Sequence, residues 1–145
     1  MIKFALMGHG VVGSGVAEVF FEHKEAYEKK VGDELELKYI LDLRDFPNLP
    51  YSNLFTKDFD DIINDDEIKI VVEVMGGVGA AYNFVKQCLQ KGKSVATSNK
   101  ELVAKHGAEL LAIAKEANIN FLYEASVGGG IPIIRSIKSC LTADE

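Results

Sequence analysis

The sequence has no surplus of positive charge. Sixteen Lys and Arg stand against twenty-two Asp and Glu, leaving a formal net charge of −6 over 145 residues. No cluster of basic residues rises above that background, so no nucleic-acid partner is expected. Apolar runs are short, and none approaches the roughly 20 residues of a membrane span, so no membrane partner is expected either. The first residues lack a basic stretch followed by a long apolar one, the pattern of a secretory leader. Cysteine is scarce: Cys88 and Cys140 are the two in the chain, far apart and without metal-ligand spacing. Two isolated thiols in a leaderless chain point to a reducing cytoplasm and buried cysteines, not to a disulfide. A nucleophile elbow, a P-loop and a zinc motif are missing, as are internal repeats and low-complexity segments.

What is present is ordinary globular composition, 48% hydrophobic and 26% charged, in a length that suits one domain with a real core. Apolar periodicity alternates strand and helix almost throughout. Strands are predicted at residues 3–7, 34–43, 68–74, 94–97 and 119–123. The third is a continuous β-branched run, the mark of a strand buried on both faces. Helices are predicted at 11–30, near 59–63, at 80–90 and at 100–117. Gly92 stops the third of these, and Asn99 or Ser98 caps the fourth. Pro132 suits the first turn of a last helix. Residues 44–57, with Pro47, Pro50 and Asn53, read as loop. The acidic stretch 58–67 reads as solvated surface, because it has no ligand-loop pattern. Such alternation predicts an α/β fold: a doubly wound, mostly parallel sheet with helices on both faces. With no closing element after the last helix, a second domain is expected beyond residue 145.

The most informative segment is Gly8-His9-Gly10-Val11-Val12-Gly13, between the first strand and the first helix. This is G-x-G-x-x-G in the context that gives it meaning. Gly8 permits the tight turn, Gly10 lets a pyrophosphate approach the backbone, and Gly13 lets helix and strand pack closely. The free N–H groups of the helix start then face the anion. The plainer alternative is a glycine-rich turn that only allows close packing. An acidic residue at the end of the second strand normally reads the adenosine ribose, and Asp42 is the candidate. Its carboxylate repels a 2′-phosphate and favours NAD, while Arg44 could pair with that phosphate and favour NADP. The alternative for this pair is a surface ion pair at a strand end.

Three more segments fall at strand-to-helix transitions. Gly76 and Gly77 either let a ligand approach the sheet edge or simply make a turn of positive φ. In Thr97-Ser98-Asn99-Lys100, the lysine sits in a first helical turn, where the helix dipole disfavours a cation. That placement suggests a hand in ligand binding or proton transfer; the alternative is a surface lysine. In Glu124-Ala125-Ser126-Val127-Gly128-Gly129-Gly130-Ile131-Pro132, a carboxylate and exposed carbonyls could bind a cation, or the loop could be a hinge. His9 is expected to face the coenzyme pocket or solvent. His23 and His106 read as surface.

Taken together and in this order, these blocks resemble homoserine dehydrogenase. Residues 8–13, Val72-Glu73-Val74-Met75-Gly76-Gly77, Thr97-Ser98-Asn99-Lys100-Glu101-Leu102-Val103-Ala104 and residues 124–134 carry the likeness, the last two blocks most specifically. The resemblance implies a Rossmann-type coenzyme domain of an enzyme that interconverts L-homoserine and L-aspartate 4-semialdehyde with NAD or NADP, on the route to threonine, methionine and isoleucine. It implies cofactor contacts from Gly10, Val11 and Val12, and a Lys100 placed between nicotinamide and substrate. It implies a sodium site built from Glu124, Val127, Gly129 and Ile131, mostly through carbonyls. The family's substrate pocket, second catalytic lysine and dimer-forming sheet have no counterpart in these residues. The chain alone is therefore expected to bind dinucleotide with negligible turnover, as a monomer if the dimer needs the missing part. Two other readings stay open: a different semialdehyde or amino-acid dehydrogenase, and a non-catalytic NAD-sensing module.

Overall fold

A computed structural model describes residues 1–124 and 131–141. Six strands, β1 (Ile2–Met7), β2 (Leu35–Leu41), β3 (Phe55–Thr56), β4 (Ile68–Glu73), β5 (Ser94–Thr97) and β6 (Phe121–Tyr123), form one sheet. Every pairing is parallel, and the order is β3-β2-β1-β4-β5-β6. The strand order reverses between β1 and β4, so ligands are expected outside the carboxyl ends of those strands.

Six helices cover both faces: α1 (Val11–Glu22), α2 (Lys24–Val31), α3 (Asp60–Ile63), α4 (Gly79–Gln90), α5 (Lys100–Glu116) and α6 (Ile131–Leu141). The strand period of two divides the core. Phe4 and Leu6 point to one side, where they pack with Val16, Phe20, Tyr27 and Ile137 of α1, α2 and α6. Ala5 and Met7 point to the other, with Ile62, Val85, Leu89, Leu102 and Leu110 of α3, α4 and α5. Phe4 and Phe20 meet edge to face with centroids 5.0 Å apart, a favoured aromatic geometry.

The structure corrects the sequence reading in two places. The first helix is not continuous over 11–30: it breaks at His23 (φ −114°, ψ 20°), and α2 then ends at a left-handed Gly32. Apolar spacing carries through the break, which is why periodicity missed it. The stretch 44–57 is not all loop. It holds a 3-10 turn at Ser52–Leu54 and the two-residue edge strand β3, too short to show a period. The other elements lie within two residues of expectation. Cys88 and Cys140 are free and buried, and burial pushes both thiols up to about 12.

The acidic stretch makes ion pairs at the opposite, amino-terminal edge of the sheet. Lys38 contacts Asp65 at 2.5 Å and Glu67 at 3.0 Å, and Lys3 contacts Glu67 at 2.9 Å. The buried Lys93 ammonium donates to the Asp65 and Ile68 carbonyls, tying the turn before β4 to the start of β5. Among the described residues, no group of three or more His, Cys, Asp and Glu could hold a metal, and no helix is long and apolar enough to cross a membrane.

Candidate functional site

The glycine-rich turn runs from the end of β1 into α1. Gly8 has φ +104°, a conformation that L side chains rarely adopt, and its N–H continues the ladder to the Leu41 carbonyl at 2.8 Å. Gly13 is pressed onto the turn itself: a Cβ there would lie 2.0 Å from the Gly8 carbonyl oxygen. Around Gly10 there is room, the nearest atom to a Cβ being an Arg44 guanidinium nitrogen at 3.9 Å. Gly10 also caps α1 without a side-chain hydrogen bond, so the first-turn N–H groups are not taken by a capping side chain. Val11 is 93% exposed at that helix start. The turn therefore has both properties a bound pyrophosphate requires: open backbone above Gly10 and a close-packed helix below.

Asp42 follows β2 directly. Its side chain is 9% exposed and accepts four hydrogen bonds, from His9 N at 2.8 Å, Arg44 N at 2.9 Å, and Arg44 Nε and a terminal guanidinium nitrogen at 3.0 Å each. The Arg44 guanidinium, helped by the two backbone N–H groups, holds the Asp42 carboxyl down to about 2. Asp42 is thus bonded to the backbone of the glycine turn, and the ion pair with Arg44 that sequence allowed as the plainer reading is present. Both residues line a cleft of about 400 Å³. Gly8, His9 and Gly10 line it too, together with Val74, Met75, Ala80 and Phe84.

His9 lines that cleft but does not face solvent, being 5% exposed. Its ring sits among Phe46, Tyr51 and Phe55, with centroids 4.6 to 5.7 Å away, and Nε2 lies 2.8 Å from the Tyr51 hydroxyl. Its Nδ1 is buried without a partner. These rings explain how the stretch between β2 and β3 is held down on the glycine turn. Its aromatic residues Phe46 and Tyr51, with Phe55 at the start of β3, are the signal in the sequence.

Burial lowers the His9 pKa from its ordinary 6.5, against the pull of Asp42 and Glu18 and with the help of Arg44. The folded protein therefore resists protonation at His9, and stability present above 6.5 is lost as pH falls through the lower folded value. Melting temperature is expected to drop as pH falls below 6.5, and His9→Gln to shrink that drop. An identical pH dependence in the variant would show that His9 is not the group responsible.

The carboxyl ends of β4 and β5 form the other half of the edge. Gly76 (φ +78°) and Gly77 (φ +70°) make a left-handed turn after β4, so the backbone reason for both glycines is present. Asn99, not Ser98, caps α5: its Oδ1 accepts from Leu102 N at 3.0 Å while its Nδ2 donates to the Gly77 carbonyl. Lys100 is the first residue of α5 and is exposed at this edge.

A family model described as "Homoserine dehydrogenase, NAD binding domain" matches residues 8–124. The chain belongs to that family. Homoserine dehydrogenase of Bacillus subtilis is 38% identical over 149 residues, covering 99% of this chain and 34% of its own length. A crystal structure of S. aureus homoserine dehydrogenase at pH 8.5 superposes with TM-score 0.79 at 34% identity, over 86% of this chain and 32% of that one. A hyperthermophilic archaeal homoserine dehydrogenase in complex with NADPH does so with TM-score 0.67 at 25% identity, over 86% and 44%. The chain thus spans about a third of the length of the relatives it matches. As a member of this family it is an NAD(P)-binding domain.

Gly8, Gly10, Val11, Val12, Gly13, Asp42 and Lys100, the residues expected to bind coenzyme, stand at the carboxyl ends of β1, β2 and β5. Glu124 follows β6, and its carboxylate pairs with Arg135 at 2.7 Å. Ile131 is the first residue of α6, while Val127 and Gly129 lie outside the described residues. Glu73, part of the block that carries the family likeness, has no role of its own in the sequence analysis. It is the one carboxylate within the β-branched run 68–74, and it is fully buried.

Proposed function

We propose that this chain is the coenzyme part of an enzyme interconverting L-homoserine and L-aspartate 4-semialdehyde, and that it prefers NAD. The observation that carries the reading is the 2.8 Å bond from His9 N to Asp42. It fixes a ribose-reading carboxylate against an open phosphate-binding turn, on the edge that also bears Lys100. Gly8, Gly10, Val11, Val12 and Gly13 hold the pyrophosphate, Asp42 the adenosine ribose, and Gly76 and Gly77 let the second half of the dinucleotide approach. When bound, the nicotinamide supplies or accepts the hydride. Lys100 orients the substrate oxygen and exchanges a proton with it as the alkoxide develops. Glu124, with carbonyls of Val127, Gly129 and Ile131, is the proposed sodium site. The substrate pocket and a homodimer contact are assigned to residues that the relatives carry beyond the matched third, so the isolated chain binds coenzyme without turnover.

Calorimetric titration with NAD and with NADP tests this reading. Asp42→Ala is expected to weaken NAD by about tenfold or more, the loss of charge-assisted hydrogen bonds to the ribose, while leaving NADP unchanged or tighter. Arg44→Ala is expected to act in the opposite sense, costing NADP more than NAD. An unaltered NAD to NADP ratio in both variants would remove this pair from coenzyme selection. Failure of the wild-type chain to bind either dinucleotide would sink the coenzyme assignment.

A further inference from the structure

Glu73 ends β4 with its carboxyl fully buried, and burial raises its pKa. A carboxyl at that depth is costly unless its oxygens are bonded. Its partners are not cations. The Thr97 hydroxyl donates to Oε1 at 2.6 Å, and Met75 N donates to Oε2 at 2.7 Å. Thr97 Oγ1 accepts in turn from Asn99 N at 2.9 Å. Asn99 then reaches both ways, to the Gly77 carbonyl and to Leu102 N. One chain of hydrogen bonds therefore links the end of β4, the turn at Gly76 and Gly77, the end of β5 and the helix start that bears Lys100.

The position of this network says which part of a dinucleotide it serves. Asp42 and the glycine turn occupy the edge over β2 and β1, which takes the adenosine half. Beyond the reversal of strand order, the second mononucleotide half lies over β4 and β5, the two strand ends that Glu73 and Thr97 join. We propose that Glu73 is the positioning residue of the nicotinamide half-site, holding the Gly76–Gly77 turn and the Lys100 helix start in one fixed relation through Thr97 and Asn99. This rests on the dinucleotide reading above. A well-packed apolar side chain would fill the same space without the desolvation cost; what it could not do is fix two loops by hydrogen bonds of defined direction.

The test separates the two halves of the ligand. NAD and ADP-ribose, which lacks nicotinamide, are titrated into the wild-type chain and into Thr97→Val and Glu73→Gln, with melting curves to show that each variant is folded. Thr97→Val keeps the volume but removes the hydroxyl that Glu73 and Asn99 share, so it carries the test even where Glu73 variants fold poorly. It is expected to weaken NAD by about tenfold, with ADP-ribose affinity kept within about twofold, the effect of a lost hydrogen bond confined to one half-site. Thr97→Ser, which retains the hydroxyl, is expected to recover most of the loss. Equal losses for both ligands, or none for either, would overturn the positioning role. Wild-type chain that binds neither ligand would overturn the dinucleotide reading and this inference with it, a result distinct from binding that no variant disturbs.

Discussion

Gly13→Ala is expected to destabilise the domain severely and abolish dinucleotide binding. The new Cβ would sit 2.0 Å from the Gly8 carbonyl oxygen, 2.8 Å from the Gly8 carbonyl carbon and 3.2 Å from a Val74 methyl. Two of the three obstacles are backbone, so no side-chain rotation relieves them; α1 must lift from the turn. The cost is about 3 kcal/mol or more, the upper end for overpacking, against a total stability of roughly 5–15 kcal/mol. Melting is expected about 10 °C lower for a domain of this size. Gly10→Ala is the informative contrast. Its Cβ meets only the Arg44 guanidinium at 3.9 Å, and the backbone there is extended, with a negative φ of −83°. That variant is expected to melt near wild type yet bind NAD about tenfold or more weakly, because a methyl occupies the space the pyrophosphate needs. A Gly13→Ala protein that melts and binds like wild type would refute the close-packing account of the turn.

Lys100→Met is expected to cut turnover by about 10²–10⁴-fold, the range for losing a group that transfers or orients a proton. The measurement requires a full-length homoserine dehydrogenase that carries this chain as its coenzyme domain. The KM for dinucleotide is expected to move by no more than about threefold, since the pyrophosphate turn and Asp42 are untouched, so the loss lies in kcat. The placement of the side chain is what makes the effect large. Asn99 caps the helix and bonds back to the Gly77 turn, so Lys100 leaves the first turn of α5 from a fixed point on the sheet edge. A kcat within about tenfold of the wild-type value would reduce Lys100 to a surface lysine.

Much of this was legible in the sequence because the signals are local. Alternating Leu35, Leu37, Tyr39 and Leu41 marks a strand by period; a β-branched run marks β4; Asn99 ahead of an apolar helical pattern marks a cap. The glycine motif between strand and helix is local too, and so is Asp42 at a strand end. The missed features are those whose cause is not local. The break at His23 interrupts hydrogen bonding without interrupting apolar spacing. β3 is two residues held by β2, and nothing within Phe55 and Thr56 announces it. His9 sits at a position where any residue satisfies the motif, and its buried ring is explained only by Phe46, Tyr51 and Phe55, more than thirty-five residues along the chain.

What the sequence alone determined is the doubly wound class, the glycine turn between β1 and α1, the carboxylate at the end of β2 and the family, since spacing along the chain encodes each of them. Tertiary structure alone decided which groups meet. Parallel pairing brings the ends of β1, β2, β4 and β5 to one edge, and there Asp42 bonds to His9 N and Glu73 bonds to Thr97. Those contacts join residues 33 and 24 positions apart, and their geometry exists only once the crossovers have laid the strands side by side.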